Sequence, residues 1–356
     1  MERSFFKNKK ILITGHTGFK GAWLSYYLYL LGAKVMGISL KPATKPSLFD
    51  ILDLKNKIKS NFNDILEKKK IEKKITKFKP DIVFHLAAQA IIKKSYQHPL
   101  DTWKTNLLGT IHILEVIRNQ KKGCLCIIIT SDKCYKNFEK GKGYKEDDIL
   151  GGIDPYSASK AAAEIAFQSY FQSFLKDTKH RLATARAGNV IGGGDWSLNR
   201  IIPDCVRSRV KSDKVKIRNL NASRPWQHVI EILNGYLKLA KELKRNKKIN
   251  GHSFNFGPSN NEIISVGNIL KYIKVSWPGF EWIKIGNPIK NETDQLVLNT
   301  SKAQKILKWK TRLKVKESVK LTIDWYRDFY KKGNKKSNIV QLTKKQIINY
   351  HSKFGI

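Results

Sequence analysis

Three glycines spaced three residues apart constrain the fold of this chain more than any other feature. Gly15-x-x-Gly18-x-x-Gly21 follows a short apolar segment at 10–14 and precedes a helical pattern at 22–31 that stops before Gly32. Glycines at this spacing permit a tight turn, close approach of the backbone to a pyrophosphate and close packing of helix against strand. The N-terminus of the following helix adds N–H donors and the positive end of its dipole. With a strand at 34–40, the pattern predicts a dinucleotide-binding βαβ unit.

Strand and helix patterns continue to alternate as far as residue 186. Further strands are predicted at 82–86, 125–131 and 182–186, and helices at 67–78, 102–119 and 157–174. This alternation predicts an α/β fold, a Rossmann-type doubly wound parallel sheet with a smaller, discontinuous C-terminal substrate-binding domain. We expect residues 1–186 and about 229–256 to form the dinucleotide-binding domain. Residues 187–228 and 257–330, with loops rich in Gly, Asn, Pro and Trp, would form the second domain, and 331–356 a helical C-terminal tail.

The formal net charge of +39 is the kind of balance found in nucleic-acid binders. Only 12 of the 68 basic residues are arginine, however, and the lysines are spread along the whole chain. Bidentate contacts to phosphate and guanine favour arginine. At 67–78 the apolar residues Ile71, Ile75 and Phe78 share one helix face and lysines cover the rest. We interpret the lysines as a solvated surface and expect no nucleic-acid partner.

Composition also indicates the cellular compartment in which the protein functions. A hydrophobic fraction of 41% is too high for a disordered chain. The four cysteines are too few for a disulfide scaffold and lack metal-ligand spacing, which favours a reduced, cytoplasmic environment. No apolar run approaches the roughly 20 residues that span a bilayer, so no membrane association is expected. Isolated histidines have no partners at metal-ligand spacing, and no metal site is expected.

Tyr156 and Lys160 lie four residues apart on a predicted helix and therefore share one face. A phenol with a reference pKa near 10 is a poor base at neutral pH. A neighbouring ammonium group, with an oxidised nicotinamide close by, favours the phenolate. Chance spacing on a surface helix is the alternative, which the glycine turn upstream disfavours. The pair is a candidate alcohol-oxidising centre.

Two ionisable residues, Asp132 and Lys133, follow Ser131 at the end of the strand at 125–131. Ionisable side chains beside the tyrosine are costly unless they handle protons. Elimination of water needs an acid for the departing hydroxyl and a base for the adjacent carbon-bound proton, and Asp132 and Lys133 could supply the two functions. A solvated Asp–Lys pair at the strand end is the alternative.

Five segments carry a family resemblance: TGHTGFKG at 14–21, SDKCY at 131–135, RAGNVIGGGDW at 186–196, RIIPD at 200–204 and RPWQHV at 224–229. From about residue 8 to about residue 330, the chain resembles the CDP-glucose 4,6-dehydratases of the extended short-chain dehydrogenase/reductase superfamily. The resemblance implies a hydro-lyase in which Tyr156 takes the proton of the sugar 4-hydroxyl while NAD accepts hydride. Water then leaves from C5 and C6, and the hydride returns to C6. The implied product, CDP-4-keto-6-deoxyglucose, is a precursor of deoxysugars in surface polysaccharides such as the O-antigen of lipopolysaccharide.

The resemblance also implies roles for individual residues. Catalysis is assigned to Ser131, Asp132, Lys133, Tyr156 and Lys160. NAD binding is assigned to Gly15, His16, Gly18, Phe19, Lys20, Gly21, Asp64, Ile65, Leu86, Ala87, Ala88, Asn106, Thr130, Tyr156 and Lys160. Binding of CDP-glucose is assigned to Gln89, Ser131, Asn189, Arg200, Arg224 and His228. The guanidinium of Arg224 has the planar fork that suits a pyrophosphate.

Several alternatives remain open at this stage. An epimerase or another dehydratase acting on nucleotide sugars is the runner-up, and a cofactor-sensing nucleic-acid-binding protein is the alternative from a different class. The second strand ends in Ser39-Leu40-Lys41 without the acidic residue that holds the NAD ribose, so this position does not decide between NAD and NADP, and Lys41 could accept a 2′-phosphate. NAD is expected from the resemblance. His16 and Lys20 either touch the cofactor pyrophosphate or face water. Lys133 would need a lowered pKa to act as the C5 base.

A homo-oligomer, a dimer or a dimer of dimers, is expected through the helices at 102–119 and 157–174.

Overall fold

A seven-stranded parallel sheet forms the centre of the molecule. The computed structural model describes residues 2–138, 143–258, 262–286 and 296–354. The sheet strands are β1 (Lys10–Thr14), β2 (Lys34–Ser39), β3 (Lys59–Phe62), β4 (Ile82–His85), β5 (Leu125–Ile129), β6 (Arg181–Ala187) and β11 (Ser253–Phe256). Their spatial order is β11-β6-β5-β4-β1-β2-β3, so the chain winds outward in both directions from β1 and β4. The predicted doubly wound parallel sheet is confirmed.

The central strands consist of apolar residues because helices cover both faces of the sheet. Every residue of β4 and β5 is buried, and Ile11, Leu12 and Ile13 of β1 have no exposed surface. The parallel register places Thr14 beside His85, so the carboxyl ends of β1 and β4 lie side by side. In open α/β sheets, ligands bind at this edge, where the direction of winding changes.

Helices flank the sheet and build the C-terminal part of the molecule. Their bounds are α1 (Glu2–Phe6), α2 (Phe19–Leu30), α3 (Leu48–Ile51), α4 (Leu54–Lys57), α5 (Lys68–Phe78), α6 (Ile92–Gln97), α7 (Pro99–Trp103), α8 (Gly109–Arg118), α9 (Pro155–Tyr170), α10 (Ile201–Val210), α11 (Val229–Arg245), α12 (Val266–Ser276), α13 (Ser301–Leu307), α14 (Val315–Tyr330) and α15 (Lys336–Phe354). Short 3₁₀ segments cover Asp132–Cys134 and Lys247–Ile249. None of these helices has the length and apolarity that crossing a bilayer requires.

The helix predicted at 102–119 is interrupted. It consists of the end of α7, a π-helical segment at Lys104–Leu108, and α8. A second π-helical segment, Phe171–Leu175, continues α9, so the helix predicted at 157–174 begins two residues earlier and ends one residue later. The first π-helical segment carries Asn106, which places this residue against the loop after β4.

Short strands pair in the C-terminal half of the chain. They are β7 (Val190–Ile191) with β10 (Gln227–His228), β9 (Ser223–Arg224) with β12 (Ile264–Ser265), and β8 (Val215–Ile217) with β13 (Trp282–Lys284). Within the predicted tail, Lys336–Phe354 forms the helix α15, which packs on the rest of the chain. The Tyr350 hydroxyl donates to the buried Glu231 carboxylate at 2.8 Å, and Trp325 Nε1 donates to Thr343 at 2.9 Å. The division into domains stays a prediction.

Candidate active site

The glycine turn after β1 has the geometry that the sequence predicts. Gly15 has a φ of +75°, and a Cβ there would lie 2.8 Å from the backbone nitrogen of Ala87. A Cβ on Gly21 would lie 2.0 Å from the Gly15 carbonyl oxygen. Gly18 is exposed at the N-terminus of the twelve-residue helix α2. The turn is therefore an open cradle against a helix N-terminus, which suits a pyrophosphate.

A chain of hydrogen bonds joins the turn to the loop after β4. Thr14 Oγ1 lies 2.7 Å from His85 Nδ1 and accepts from the Ala87 backbone at 3.2 Å. His85 Nε2 lies 3.1 Å from Thr110 Oγ1 on α8. Burial lowers the pKa of His85 to about 3, so the ring is neutral and holds β1, β4 and α8 together. Leu86, Ala87 and Ala88 are thereby placed beside the glycine turn.

Asn106 ties this loop to α9. Its Oδ1 accepts from the Gln89 backbone at 2.8 Å, and its Nδ2 donates to Ser159 Oγ at 2.9 Å. The side-chain amide of Gln89 is turned back onto the protein, donating to Thr102 Oγ1 at 3.0 Å. The substrate contact assigned to Gln89 stays a prediction.

Asp64 and Ile65, assigned to the cofactor, lie in the loop after β3. The Asp64 carboxylate accepts from the Leu66 backbone at 2.9 Å, which fixes the loop. Ile65 is buried against Gly109, where a Cβ would lie 2.8 Å from its Cγ2 atom. The contact of Asp64 and Ile65 with the cofactor stays a prediction.

Ser131, Asp132 and Tyr156 come together at the carboxyl end of β5. Ser131 caps the 3₁₀ segment by accepting from the Lys133 backbone at 3.2 Å, and its hydroxyl donates to Asp132 Oδ1 at 2.9 Å. Ser131 also hydrogen-bonds Tyr156. Asp154 caps α9 by accepting from the Ser157 backbone at 3.0 Å, which starts the helix so that Tyr156 lies in its first turn.

Burial controls the protonation of this cluster. It raises the pKa of Tyr156 to about 12, with the Ser131 hydrogen bond acting the other way. It raises the pKa of Asp132, although Lys133 and Ser131 oppose the shift. It lowers the pKa of Lys160 to about 7. The protein groups alone therefore leave Tyr156 protonated, and the predicted phenolate depends on the positive charge of the oxidised nicotinamide.

His16 does not face water, so that alternative is wrong for this residue, whereas Lys20 is partly exposed and both alternatives stay open for it. The His16 ring is fully buried beside Phe49 and Phe62, and burial lowers its pKa to about 4. Lys20 is partly buried near Asp132, and burial lowers its pKa to about 8. Contact with the cofactor pyrophosphate stays a prediction for both residues. Phe19, beside them, is half-buried at the start of α2.

The residues assigned to substrate have different environments. Arg200 is half-buried and lies 3.4 Å from the Asp195 carboxylate. Asn189 and Arg224 are half-buried. Asn189 directly precedes the short strand β7, and Arg224 lies in the short strand β9, which pairs with β12. His228, in contrast, is fully buried: its Nδ1 accepts from the Ile230 backbone at 3.3 Å and caps α11. The observed contacts of His228 are those of a helix cap, and its contact with substrate stays a prediction.

The contacts of two residues near the site, Gly193 and Glu164, were not predicted from the sequence. Gly193 lies against Trp325, whose Cγ would be 2.1 Å from a Cβ, and the Trp23 indole donates to the Gly193 carbonyl at 2.9 Å. Glu164 is a fully buried carboxylate on α9, hydrogen-bonded to Thr130. The sequence did contain a signal for Glu164, because this residue continues the four-residue spacing of Tyr156 and Lys160 by one more helical turn.

Comparisons with known proteins show the family of the chain. A family model described as GDP-mannose 4,6 dehydratase matches residues 12–322. The CDP-glucose 4,6-dehydratase of Salmonella typhimurium is 39% identical over 333 residues, which are 92% of this chain and 93% of that protein. The resemblance inferred from the motifs is thus confirmed.

Solved structures show the same fold. The UDP-glucuronic acid 4-epimerase from Bacillus cereus, in complex with UDP-glucuronic acid and NAD, has a TM-score of 0.78 at 21% identity, covering 90% of this chain and 100% of its own. TunA, an NAD-dependent NDP-hexosamine 5,6-dehydratase involved in tunicamycin biosynthesis, has a TM-score of 0.74 at 20% identity, covering 90% and 98%.

Proposed function

Since the chain belongs to the GDP-mannose 4,6-dehydratase family, we propose that it converts CDP-glucose to CDP-4-keto-6-deoxyglucose and water, with NAD as its cofactor. The observation that carries the dehydratase assignment is the position of Asp132. This carboxyl group is buried, its pKa is raised, and Ser131 hydrogen-bonds both to it and to Tyr156. An acid beside the alcohol-oxidising pair is what loss of water requires and what epimerisation does not.

The residues present fit NAD. Gly15 and Gly21 leave the cradle free of side chains at the N-terminus of α2, and Lys160 is buried one helical turn from Tyr156. When bound, NAD supplies the oxidant that takes the hydride from the sugar C4 and later returns it to C6. Thr17 Oγ1, in the glycine turn, lies 2.9 Å from Ser39 Oγ at the end of β2 and donates to the Leu40 carbonyl at 2.9 Å, so these groups would be available to hold an adenosine ribose.

Tyr156 acts on the sugar 4-hydroxyl. Its phenolate form, stabilised by the positive charge of Lys160, takes the hydroxyl proton and becomes the neutral phenol as the carbon is oxidised. Ser131 orients the phenol through its hydrogen bond. The 4-keto group then acidifies the proton on C5.

Asp132 protonates the departing 6-hydroxyl. Its burial favours the protonated carboxyl group, the form that can act as an acid. Lys133, half-buried on the same 3₁₀ segment, is proposed to remove the C5 proton. Oxidation and elimination therefore use neighbouring groups at one strand end.

Positive charge supports binding of the nucleotide diphosphate. The charges of Arg200 and Asp132 both act on Lys20, and those of Arg200 and Asp132 on Tyr156; Arg224 and Asn189 are half-buried farther along the chain after β6. We propose that the basic groups, with Asn189 and Gln89, hold the pyrophosphate and sugar. The net charge of +39 would raise the rate at which an anionic substrate is captured.

The finer biological assignments are also proposals. The exposed side chain of Ile165 lies beside Leu107, Ile111 and Tyr170 on the face formed by α8, α9 and the π-helical segment between α7 and α8, and a second copy of the chain would cover this apolar face. Four free, buried cysteines support a cytoplasmic location. The product is proposed to serve deoxysugar synthesis for surface polysaccharides.

Incubation with CDP-glucose and a catalytic amount of NAD tests the function. We expect a 4-keto sugar, detected by its ultraviolet absorbance in alkali, with no net reduction of cofactor. Formation of a C4 epimer without loss of water would favour the epimerase alternative. Titration of the protein with NAD and NADP tests the cofactor separately, and tighter binding of NADP would contradict the assignment.

A further inference from the structure

A buried ion pair lies directly behind the candidate active site. Glu164 on α9 has no exposed surface, Arg186 on β6 is 2% exposed, and Glu164 Oε2 lies 2.8 Å from Arg186 Nη2. A buried ion pair is weak evidence for stability, because apolar residues of similar volume at such positions are often equally stable or more stable. Its presence therefore calls for another explanation.

The carboxylate of Glu164 holds the N-terminal end of the segment 130–135, called here the catalytic turn because it contains Ser131, Asp132 and Lys133. Thr130, which precedes Ser131, donates to Glu164 Oε1 at 2.5 Å. Thr184 Oγ1 and Ser253 Oγ donate to Oε2 at 2.8 and 3.2 Å. The carboxylate thus joins α9 to β6, β11 and the end of β5.

Arg186 holds the C-terminal end of the same turn. Its Nη1 donates to the Tyr135 hydroxyl at 2.7 Å and to the Glu146 carbonyl at 2.8 Å, and its guanidinium carbon lies 5.0 Å from the centre of the Tyr135 ring. Tyr135 directly follows the 3₁₀ segment that contains Asp132 and Lys133. One ion pair therefore clamps both ends of the segment 130–135.

Glu164 also shares a helix face with Tyr156 and Lys160, at successive intervals of four residues. Burial and the positive charge of Lys20 on α2 lower the pKa of Lys160, and the negative charge of Glu164 opposes them. Cys134 faces Lys160 from the catalytic turn, and His85 faces it from β4 as a neutral ring. Arg186 is the cation that faces Glu164 itself.

We propose that Glu164 is a positioning residue for the dehydratase reaction: it clamps the 130–135 segment against α9 and sustains the positive charge of Lys160 beside Tyr156. This inference rests on the proposed function. It adds a requirement that the active-site residues alone do not impose, namely a carboxylate one turn beyond Lys160. The hydride-transfer step should therefore depend on that charge even though Glu164 lies behind the site.

The pH dependence of the first hydride transfer tests the proposal. CDP-6-deoxyglucose has a 4-hydroxyl to oxidise and no 6-hydroxyl to expel, so the ultraviolet band of the reduced nicotinamide reports oxidation alone. In E164Q/R186M both charges are replaced by neutral side chains of similar size, which avoids an unpaired buried arginine. We expect its rate to decline with rising pH earlier than that of the wild type by a fraction of a pH unit, because Glu164 is one helical turn from Lys160 and loss of Arg186 offsets only part of its effect.

Two further variants separate charge from packing. Thr184→Val removes one hydrogen bond to Glu164 but no charge, so its pH profile should match that of the wild type. E164D keeps the charge on a shorter side chain, so its rate should fall while its profile stays in place. Thermal midpoints of all variants report folding.

Coincident pH profiles for E164Q/R186M and the wild type would overturn the proposal. A shifted pH profile for E164D would also overturn it, and this second test can be made even if the double variant does not fold. A wild-type protein that neither oxidises CDP-6-deoxyglucose nor dehydrates CDP-glucose would instead contradict the proposed function.

Discussion

Replacing Asp132 with asparagine should separate oxidation from loss of water. The carboxyl group is 5% exposed and accepts a hydrogen bond from Ser131 at 2.9 Å, a bond that an amide oxygen can also accept. Burial raises its pKa, so folding shifts the carboxyl group towards its protonated form. Asparagine keeps the shape and the acceptor but has no proton to give. The substitution therefore removes the acid function with little change in geometry.

The expected magnitudes follow from these facts. General-acid catalysis contributes about 10² to 10⁴ in rate, so the barrier to expulsion of the 6-hydroxyl should rise by about 3–5 kcal/mol. The free energy of unfolding, in contrast, should not decrease. A carboxyl group whose pKa is higher in the folded protein than in the unfolded chain lowers stability as the pH rises through that interval. Since asparagine carries no charge, Asp132→Asn should be at least as stable as the wild type at neutral pH.

The assay mixes the NAD-loaded variant with CDP-glucose and follows the reduced nicotinamide and the 4-keto product together. We expect reduced cofactor to accumulate in Asp132→Asn, because hydride leaves C4 but water is not expelled, whereas the wild type shows little. Exchange of the C5 proton with solvent deuterium, compared between Asp132→Asn and the variant that also carries Lys133→Met, tests Lys133 separately. Dehydration by Asp132→Asn at the wild-type rate would refute the acid role and favour an epimerase.

Tyr156→Phe should lower kcat for cofactor reduction by at least about 10² while KM for CDP-glucose stays nearly constant, as measured by stopped-flow absorbance; an active Phe variant would remove the phenol from the mechanism. Acid should destabilise the protein through three buried histidines whose pKa values are held at about 4, 3 and 3, namely His16, His85 and His228. Unfolded histidine titrates near 6.5, so the stability present above that pH is lost as the pH falls, by about 1.4 kcal/mol per unit for each ring. Urea unfolding between pH 7 and 5 measures this slope, and His228→Asn, which keeps a capping side chain, should remove about a third of it. Tyr350→Phe should lower the free energy of unfolding by about 1–2 kcal/mol at unchanged kcat, since the buried Glu231 loses one donor; an unchanged unfolding midpoint would mean that this hydrogen bond does not stabilise the protein.

Residues whose arrangement depends on local spacing could be predicted from the sequence. The glycine turn lies between β1 and α2 as predicted, because three glycines and the alternating pattern specify a strand–turn–helix unit within about 30 residues. Tyr156 and Lys160 share a face of α9 because four residues make one helical turn. Ser131 and Asp132 follow β5 directly, and the parallel sheet brings this strand end beside α9.

The edges of the sheet were not predicted, because β3 and β11 are four residues each and lack a distinct pattern. The interrupted helix at 102–119 was also missed, since a π-helical segment leaves the apolar periodicity almost unchanged. Comparison with related proteins singled out His16 and Lys20 within the phosphate loop. It did not show that Phe49 and Phe62 enclose the His16 ring.

The sequence by itself determined the Rossmann-type sheet, the cofactor cradle and the order of the reactive groups, because each depends on periodicity over a few turns or strands. Only the tertiary structure decided how these groups are held and charged. Glu164 meets Thr130, Arg186 and Ser253 across 34, 22 and 89 residues of chain. Tyr350 reaches Glu231 across 119 residues. Burial, which sets the pKa values of Tyr156, Asp132 and Lys160, is a property of all the elements packed around them, and no local pattern contains it.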